Sequence, residues 1–361
     1  MKICFIGESD SIHMLRWIEW FKKRGHIVTL ISTNRASVPG TEVFYIGKEN
    51  GSGPLNFIRK VLKTRKIVRQ IRPDVLHAHY IFGPGVFGAL SGYRPFFASV
   101  WGSDVLLDAR DSRFKKLLIR FALKRADVVH VEDDLARNAV LNLVNESVQF
   151  VVAPFGVETK VFMPSARSEP LRERFGLSGK RVVISTRNLK SIYDVFTLVE
   201  AAPLVLQRHP DCIFLIGGSG PLAGSLQARA KELGVADRVQ FLGNIPHNEL
   251  PGFLASSEVY VSTSISDTIS VSLLEAMSCG LPVVVTDIDG NREVVREGEN
   301  GLLFRPGAAN ELADKLNWVL ADERARRRFS SLNRRIITEE YDWDECMAKV
   351  EAKYLDVVGR K

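Results

Sequence analysis

The stretch EVYVSTSISDTISVSLLEAMSCGLPVVVTD, residues 258–287, reads as strand, loop, helix and strand. EVYVS and PVVVTD are short β-branched runs without alternating polar residues, as expected of strands covered on both faces. VSLLEAMS carries helical spacing and is closed by Gly280, Leu281 and Pro282. Ser270 is expected as its N-cap. Parallel strands joined by a helix are the unit of doubly wound sheets. Two carboxylates stand out in this unit: Asp267 in the loop, and Glu275 inside a helix that otherwise reads as buried.

The unit recurs along the whole chain. Strands are expected at 2–7, 26–32, 42–46, 74–78, 96–100, 127–131 and 148–152. A second series is expected at 181–186, 212–217, 238–243, 258–262, 282–287 and 301–304. The alternation breaks once, over the proline-containing segment 153–180. At 361 residues the chain is too long for one ordinary core. The expected fold is therefore α/β, with two doubly wound Rossmann-like domains facing a central cleft, over residues 1–155 and 156–340. Residues 341–361 read as an amphipathic helix that returns to the first domain. Ligands are expected at the carboxyl ends of the strands.

The composition, 45% hydrophobic and 25% charged, is that of a globular protein. Four scattered cysteines show neither metal nor disulfide spacing, so a reducing compartment is expected. Met1 and Lys2 lead straight into a strand-like run, which does not read as a signal peptide. No apolar run approaches the roughly 20 residues that span a bilayer. These features point to the cytoplasm. Residues 1–155 carry 23 Lys and Arg against 14 Asp and Glu, a net of +9, whereas the remainder carries 26 against 28. The excess gathers in FIRKVLKTRKIVRQIR (57–72) and RFKKLLIRFALKR (113–125). Each reads either as an ordinary amphipathic helix with a solvated basic face or as a surface for anionic membrane at its inner face. No basic motif interleaved with aromatics suggests nucleic acid.

Candidate chemistry concentrates in the second half. IGGSGPLAG (216–224) follows a strand and precedes a helix, with Pro221 suited to the first helical turn. Gly218 and Gly220 either let amides approach a phosphate or form a plain tight turn. Arg187 and Lys190 follow the strand at 181–186 and are expected to point into the cleft, where a diphosphate needs fixed cations. The amides of Thr268, Ile269, Ser270 and Val271 form an anion site between Asp267 and Glu275. Carboxylates in such a place suit sugar hydroxyls rather than phosphate. The alternative is a loop acid and a salt-bridged helix acid. The D-x-D of 287–289 is explained by turn chemistry, and no metal is expected.

The Asp267-x7-Glu275 spacing followed by AMSCGLPVVVTD resembles the E-x7-E region of glycosyltransferase family 4 (glycosyl transferases group 1), which has the GT-B fold. The resemblance extends through IGGSGPL, DRVQFLGNIPHNELPGFLASSEVYVSTS and GNREVVREGENGLLFRPGAANELADKL, and more loosely into the first half at RGHIVTLIS (24–32). It implies a retaining transferase that uses a nucleotide-diphosphate sugar as co-substrate and needs no metal or other cofactor. The partners it implies are that donor and a hydroxyl acceptor, a glycan or a lipid-linked glycan of the cell envelope. Glu275 would hold the ribose, Asp267 and the amides of Thr268 to Val271 the sugar and diphosphate, and Arg187 the leaving phosphate. Three positions depart from the family pattern. Asp267 is one methylene shorter than Glu. Ile192 stands where a Lys is expected, leaving Lys190 as the nearest cation. Trp101 stands where the family has His, with Asp104 as a polar substitute.

In the first half, Gly7 permits close approach after the first strand, and the Rossmann triple-glycine pattern is absent there. His13 and Arg16 read either as acceptor contacts or as the polar side of a helix. His77 and His79 alternate along their strand, are expected on opposite sides of it, and so do not suggest a metal pair; His79 is a candidate on the acceptor side. His130 reads as structural. The rival functions are a sugar-nucleotide epimerase, a nicotinamide-dependent oxidoreductase and a non-catalytic ligand-binding protein.

Overall fold

The structure, a computed structural model, describes residues 1–47, 53–102, 104–109, 112–144 and 148–360. Residue 361, the last of the expected C-terminal segment, lies outside them. The chain forms two compact units. One comprises Met1–Pro154 with Cys346–Lys361, and the other Phe155–Glu345.

The first unit is a parallel sheet of β1 (Lys2–Ile6), β2 (Ile27–Ser32), β3 (Glu42–Tyr45), β4 (Val75–His79), β5 (Phe96–Ser99), β6 (Val128–Val131) and β7 (Phe150–Val152). Its order is β3-β2-β1-β4-β5-β6-β7. The second is a parallel sheet of β8 (Arg181–Ser185), β9 (Cys212–Gly217), β10 (Val239–Gly243), β11 (Val259–Ser262), β12 (Val283–Thr286) and β13 (Gly301–Phe304), in the order β10-β9-β8-β11-β12-β13. Both sheets run outward from one strand and then start again on its other side. The crevice at that switch lies between the exits of β1 and β4 in one unit, and of β8 and β11 in the other.

Each expected strand has its counterpart, because Val, Ile and Phe runs in these positions are buried on both faces. Every residue of β4, β5, β6, β9, β11 and β12 is buried. Helices Pro54–Ile71, Val86–Ser91, Arg113–Arg125 and Asp134–Val144 connect strands β3 to β7 and pack one core layer of the first unit. The helix Ile12–Lys23 and the last helix, Trp343–Gly359, build another. There Tyr354 stacks on Phe21 with ring centroids 5.3 Å apart and meets Phe97 edge-on at 4.8 Å. Burying an aromatic of this size stabilises by about 1.5–3 kcal/mol.

The segment 153–180 forms no strand. Ser168 caps the short helix Glu169–Arg174 by accepting from the Leu171 amide. Val157 is bridged by the backbone of Tyr341 and Trp343 (2.8 and 2.9 Å), which ties the segment to the stretch that precedes the last helix.

Candidate active site

Arg187 leaves β8 and Asp267 leaves the loop after β11, so the switch of the second sheet brings them together across 80 positions. The Arg187 guanidinium donates to the Asp267 carboxylate and to the hydroxyls of Ser270 and Ser272, the last at 2.9 Å. Its Cζ sits 4.2 Å from the Tyr193 ring centroid. Its Nε–H is buried and has no hydrogen-bond partner among the described residues. Burial pushes the Asp267 carboxyl up, while the charge and hydrogen bond of Arg187 and the Thr268 amide pull it back down.

Ser270 does occupy the N-cap of the helix Val271–Ser278, but its side chain does not cap it. Its hydroxyl accepts from Arg187 instead, a charge-assisted bond that competes with the amides. Thr268 is buried, as are Ile269 and Ser270, and Val271 opens the helix. Glu275, one turn further in, is buried beside His247, whose Nε2 is 3.9 Å from its carboxylate. His247 comes from the loop after β10, and its ring meets Phe162 at 5.4 Å.

The loops are locked to one another. Ile265 N–H donates to the Ile192 carbonyl (2.9 Å) and the Thr263 hydroxyl to that of Tyr193 (2.7 Å). The Thr286 hydroxyl donates to the Ser264 carbonyl at 2.5 Å. A Cβ on Gly290 would lie 2.4 Å from the Asp267 carbonyl oxygen, so that loop rests directly on glycine. Gly218 and Gly220 have the same kind of cause. Cβ atoms there would fall 2.5 Å from the Arg187 carbonyl and 2.3 Å from that of Leu189. The glycine turn thus fixes the backbone that carries Arg187. Pro221 precedes the helix, which begins at Ala223.

Lys190, unlike Arg187, is exposed and is not among the groups gathered on Asp267. Asp287 and Asp289 both pair with Arg292, which depresses the Asp287 carboxyl.

In the first unit, Glu8, His79, Tyr80, Phe82, Pro84 and Trp101 line a cavity of about 380 Å³ at the carboxyl ends of β1, β4 and β5. His77 and His79 stand on the same face of β4, with ring centroids 4.4 Å apart. This corrects the expectation of opposite sides: strand side chains repeat every second residue, so i and i+2 share a face. His77 binds the Tyr354 hydroxyl and Ser99 Oγ (2.7 Å), and Ser99 binds His130 (2.9 Å). Burial first, and then mutual repulsion, holds His77 and His79 well below the usual histidine range, and burial lowers His130 to about 4. Neither ring nitrogen of His79 has a hydrogen-bond partner among the described residues. His13 packs edge-on against Trp101 at 5.6 Å, and Arg16 lies half-buried one turn on. The place of a Cβ on Gly7 is filled by Met14, 2.3 Å away. Asp104 is fully buried and accepts from the amides of Ile81 (3.0 Å), Trp101 (3.1 Å) and Val105 (3.1 Å). It organises the loop that presents Trp101, and burial pushes it to about 7 against those bonds.

The family pattern described as "Glycosyl transferases group 1" matches residues 168–335, and that described as "Glycosyl transferase 4-like" matches residues 2–133. The chain belongs to the glycosyl transferases group 1 family. This glycosyltransferase is 25% identical over 302 residues to the N-acetyl-alpha-D-glucosaminyl L-malate synthase of Bacillus anthracis, covering 82% of this chain and 78% of the relative. It is 30% identical over 237 residues to a GDP-mannose-dependent alpha-(1-6)-phosphatidylinositol monomannoside mannosyltransferase of Mycolicibacterium smegmatis, covering 62% of each. Among solved structures, Anabaena Alr3699/HepE in complex with UDP-glucose aligns with a TM-score of 0.83 at 21% identity, over 98% of this chain and 99% of that one. Its GT-B fold is that of glycosyltransferases.

Some features of the glycosyltransferase have no local trace in its sequence. His247 and Gly290 act through contacts between distant loops and carry no local signature. The pairing of Arg187 with Asp267 follows from the strand order, which the strand pattern alone does not contain.

Proposed function

We propose that this glycosyltransferase is a retaining enzyme that moves a sugar from a nucleotide-diphosphate donor to a hydroxyl of a lipid-linked or cell-envelope glycan. The observation that carries this reading is the buried Arg187, held at the start of the helix Val271–Ser278 with an Nε–H that no protein group among the described residues takes up. A guanidinium and helix-terminal amides together suit a diphosphate. In this reading Arg187 neutralises the leaving phosphate and Glu275 accepts from the ribose hydroxyls. Asp267 and the amides of Thr268 to Val271 orient the sugar and diphosphate, and the exposed Lys190 screens the outer phosphate. The fixed donors stabilise charge as it develops on the leaving oxygen. With cationic groups in place, the reaction needs no metal. The acceptor attacks from the face the diphosphate leaves, and the phosphate takes its proton.

On the acceptor side, His79 offers a neutral imidazole in an aromatic-walled cavity, with His13, Arg16 and Trp101 close by. The relatives support the substrate classes: one is named for GDP-mannose and phosphatidylinositol mannoside, and one neighbour holds UDP-glucose. A thermal-shift screen of nucleotide sugars tests the reading, because a ligand of the folded state raises its stability. A stabilising donor whose shift is lost in Glu275→Ala and reduced in Arg187→Ala supports it. Donor stabilisation that survives both substitutions sinks it. The anomeric configuration of the product, read by NMR, decides retention.

A further inference from the structure

Two helices of the first unit, Pro54–Ile71 and Arg113–Arg125, carry six basic residues each and no acid. The helix Val86–Ser91 packs against both, so they belong to one layer. Their solvent faces are not uniformly polar. Leu55 is 85% exposed, Ile58 52% and Leu62 60%; Phe114 is 68% exposed and Leu117 64%. Leu55, Ile58 and Leu62 recur at helical spacing, opposite the buried Thr64, Ile67 and Val68. Arg59 and Lys66 flank the shallow groove they form.

The position of this surface follows from the sheet. All its strands are parallel, so each helix that follows a strand starts at the strand's carboxyl end. Leu55, Ile58, Phe114 and Leu117 sit in the first two turns of these helices, and Leu62 continues the stripe one turn further along. They therefore share an edge with the cavity of Glu8, His79 and Trp101. Side chains join the two features: Lys115 lies 5.3 Å from the ring of the cavity residue Phe82 and 3.5 Å from Asp108, which accepts from the Tyr80 hydroxyl at 2.7 Å.

We propose that this edge docks peripherally on an anionic lipid bilayer, with Leu55, Ile58, Leu62, Phe114 and Leu117 entering the headgroup boundary and the flanking Lys and Arg meeting lipid phosphates. Charge complementarity selects this occupant. A second copy would bring an acid-free basic face against its like, and a polynucleotide gives the apolar centre nothing to bury in. Among the described residues no helix is long and apolar enough to cross a membrane, so the contact is on the surface. The inference deepens the proposed lipid-linked acceptor and rests on that reading for its purpose: a docked edge would face the cavity toward headgroups.

The test is co-sedimentation of the full chain with vesicles of phosphatidylcholine alone or mixed with phosphatidylglycerol. Binding is expected to be at least about ten-fold tighter to the anionic vesicles and to weaken as salt rises. Each basic residue near the surface contributes roughly five-fold, so Arg59→Gln with Lys66→Gln should weaken binding about 25-fold. Leu55→Ser with Leu62→Ser, and Phe114→Ser with Leu117→Ser, should each abolish it. These positions are exposed, so unfolding midpoints and donor-induced thermal shifts should stay unchanged. The donor shift is measured separately, so docking and donor binding can fail independently. Absence of binding at low salt, equal binding to both vesicle types, or retention of a polynucleotide or acidic protein without vesicle binding overturns the proposal.

Discussion

Arg187 Nη1 lies 2.9 Å from the hydroxyl oxygen of Ser272, so a cation from the end of one strand is fixed to the first turn of the helix that follows another. The cluster is held ready rather than assembled by ligand. Arg187→Ala is therefore expected to lower kcat about 10²–10³-fold, with a smaller change in donor KM. Steady-state kinetics with the donor found by the thermal screen check it.

Glu275 is placed to act on binding rather than on the chemical step. Glu275→Gln keeps the shape but removes the charge from its hydrogen bonds. Donor KM is expected to rise about 10–100-fold with kcat nearly kept, the signature of a ground-state contact. Equal losses in both parameters would instead place the residue at the reacting centre.

Asp267 and Arg187 hold each other's charge in a largely buried place. Removing either leaves its partner uncompensated, which costs more than removing both. A double-mutant cycle of Arg187→Met and Asp267→Asn, followed by urea unfolding, should give a coupling of about 1–3 kcal/mol.

Gly290 supports the Asp267 loop through direct backbone contact. Gly290→Ala must push that loop away. Expected outcomes are a loss of about 1–3 kcal/mol in stability and a raised donor KM. A variant that keeps wild-type kinetics would show that the loop tolerates the shift.

The buried histidines give the chain an acid-sensitive core. His77, His79 and His130 are uncharged when folded and take up protons once unfolded, below about pH 6.5. Stability contributed by keeping them neutral is present above that value and falls as pH drops toward 4. Asp104, raised to about 7, works with the opposite sign, since the folded chain holds its proton where the unfolded chain has lost it. The three histidines outnumber the one carboxyl, so unfolding takes up protons between pH 6 and 5 and stability falls as the pH drops through that range. His77→Gln should make that fall shallower in urea melts across this range.

The sequence was most legible where the signal is local. Near-continuous runs such as PVVVTD and CIFLIG located all the strands, with edges off by a residue or two, because strands buried on both faces leave no room for polar residues. The pairings between loops were less legible. Arg187 was recognisable as a candidate cation, but its embrace by Asp267, Ser270 and Ser272 depends on β8 lying beside β11. Gly218 and Gly220 read equally well as phosphate contacts and as a tight turn; the backbone of Arg187 and Leu189 is what they admit. His77 and His79 share a face of their strand because side chains repeat every second residue, and the two-residue spacing in HAHY already carries that information.

The last helix carries a consequence for synthesis. Tyr354 closes on Phe21, Phe97 and His77, residues made well before it. The half that emerges first from the ribosome must wait, its Trp17 and His77 layer uncovered, until the other half has been made. A nascent chain stalled before Cys346 should accordingly be a client for chaperones.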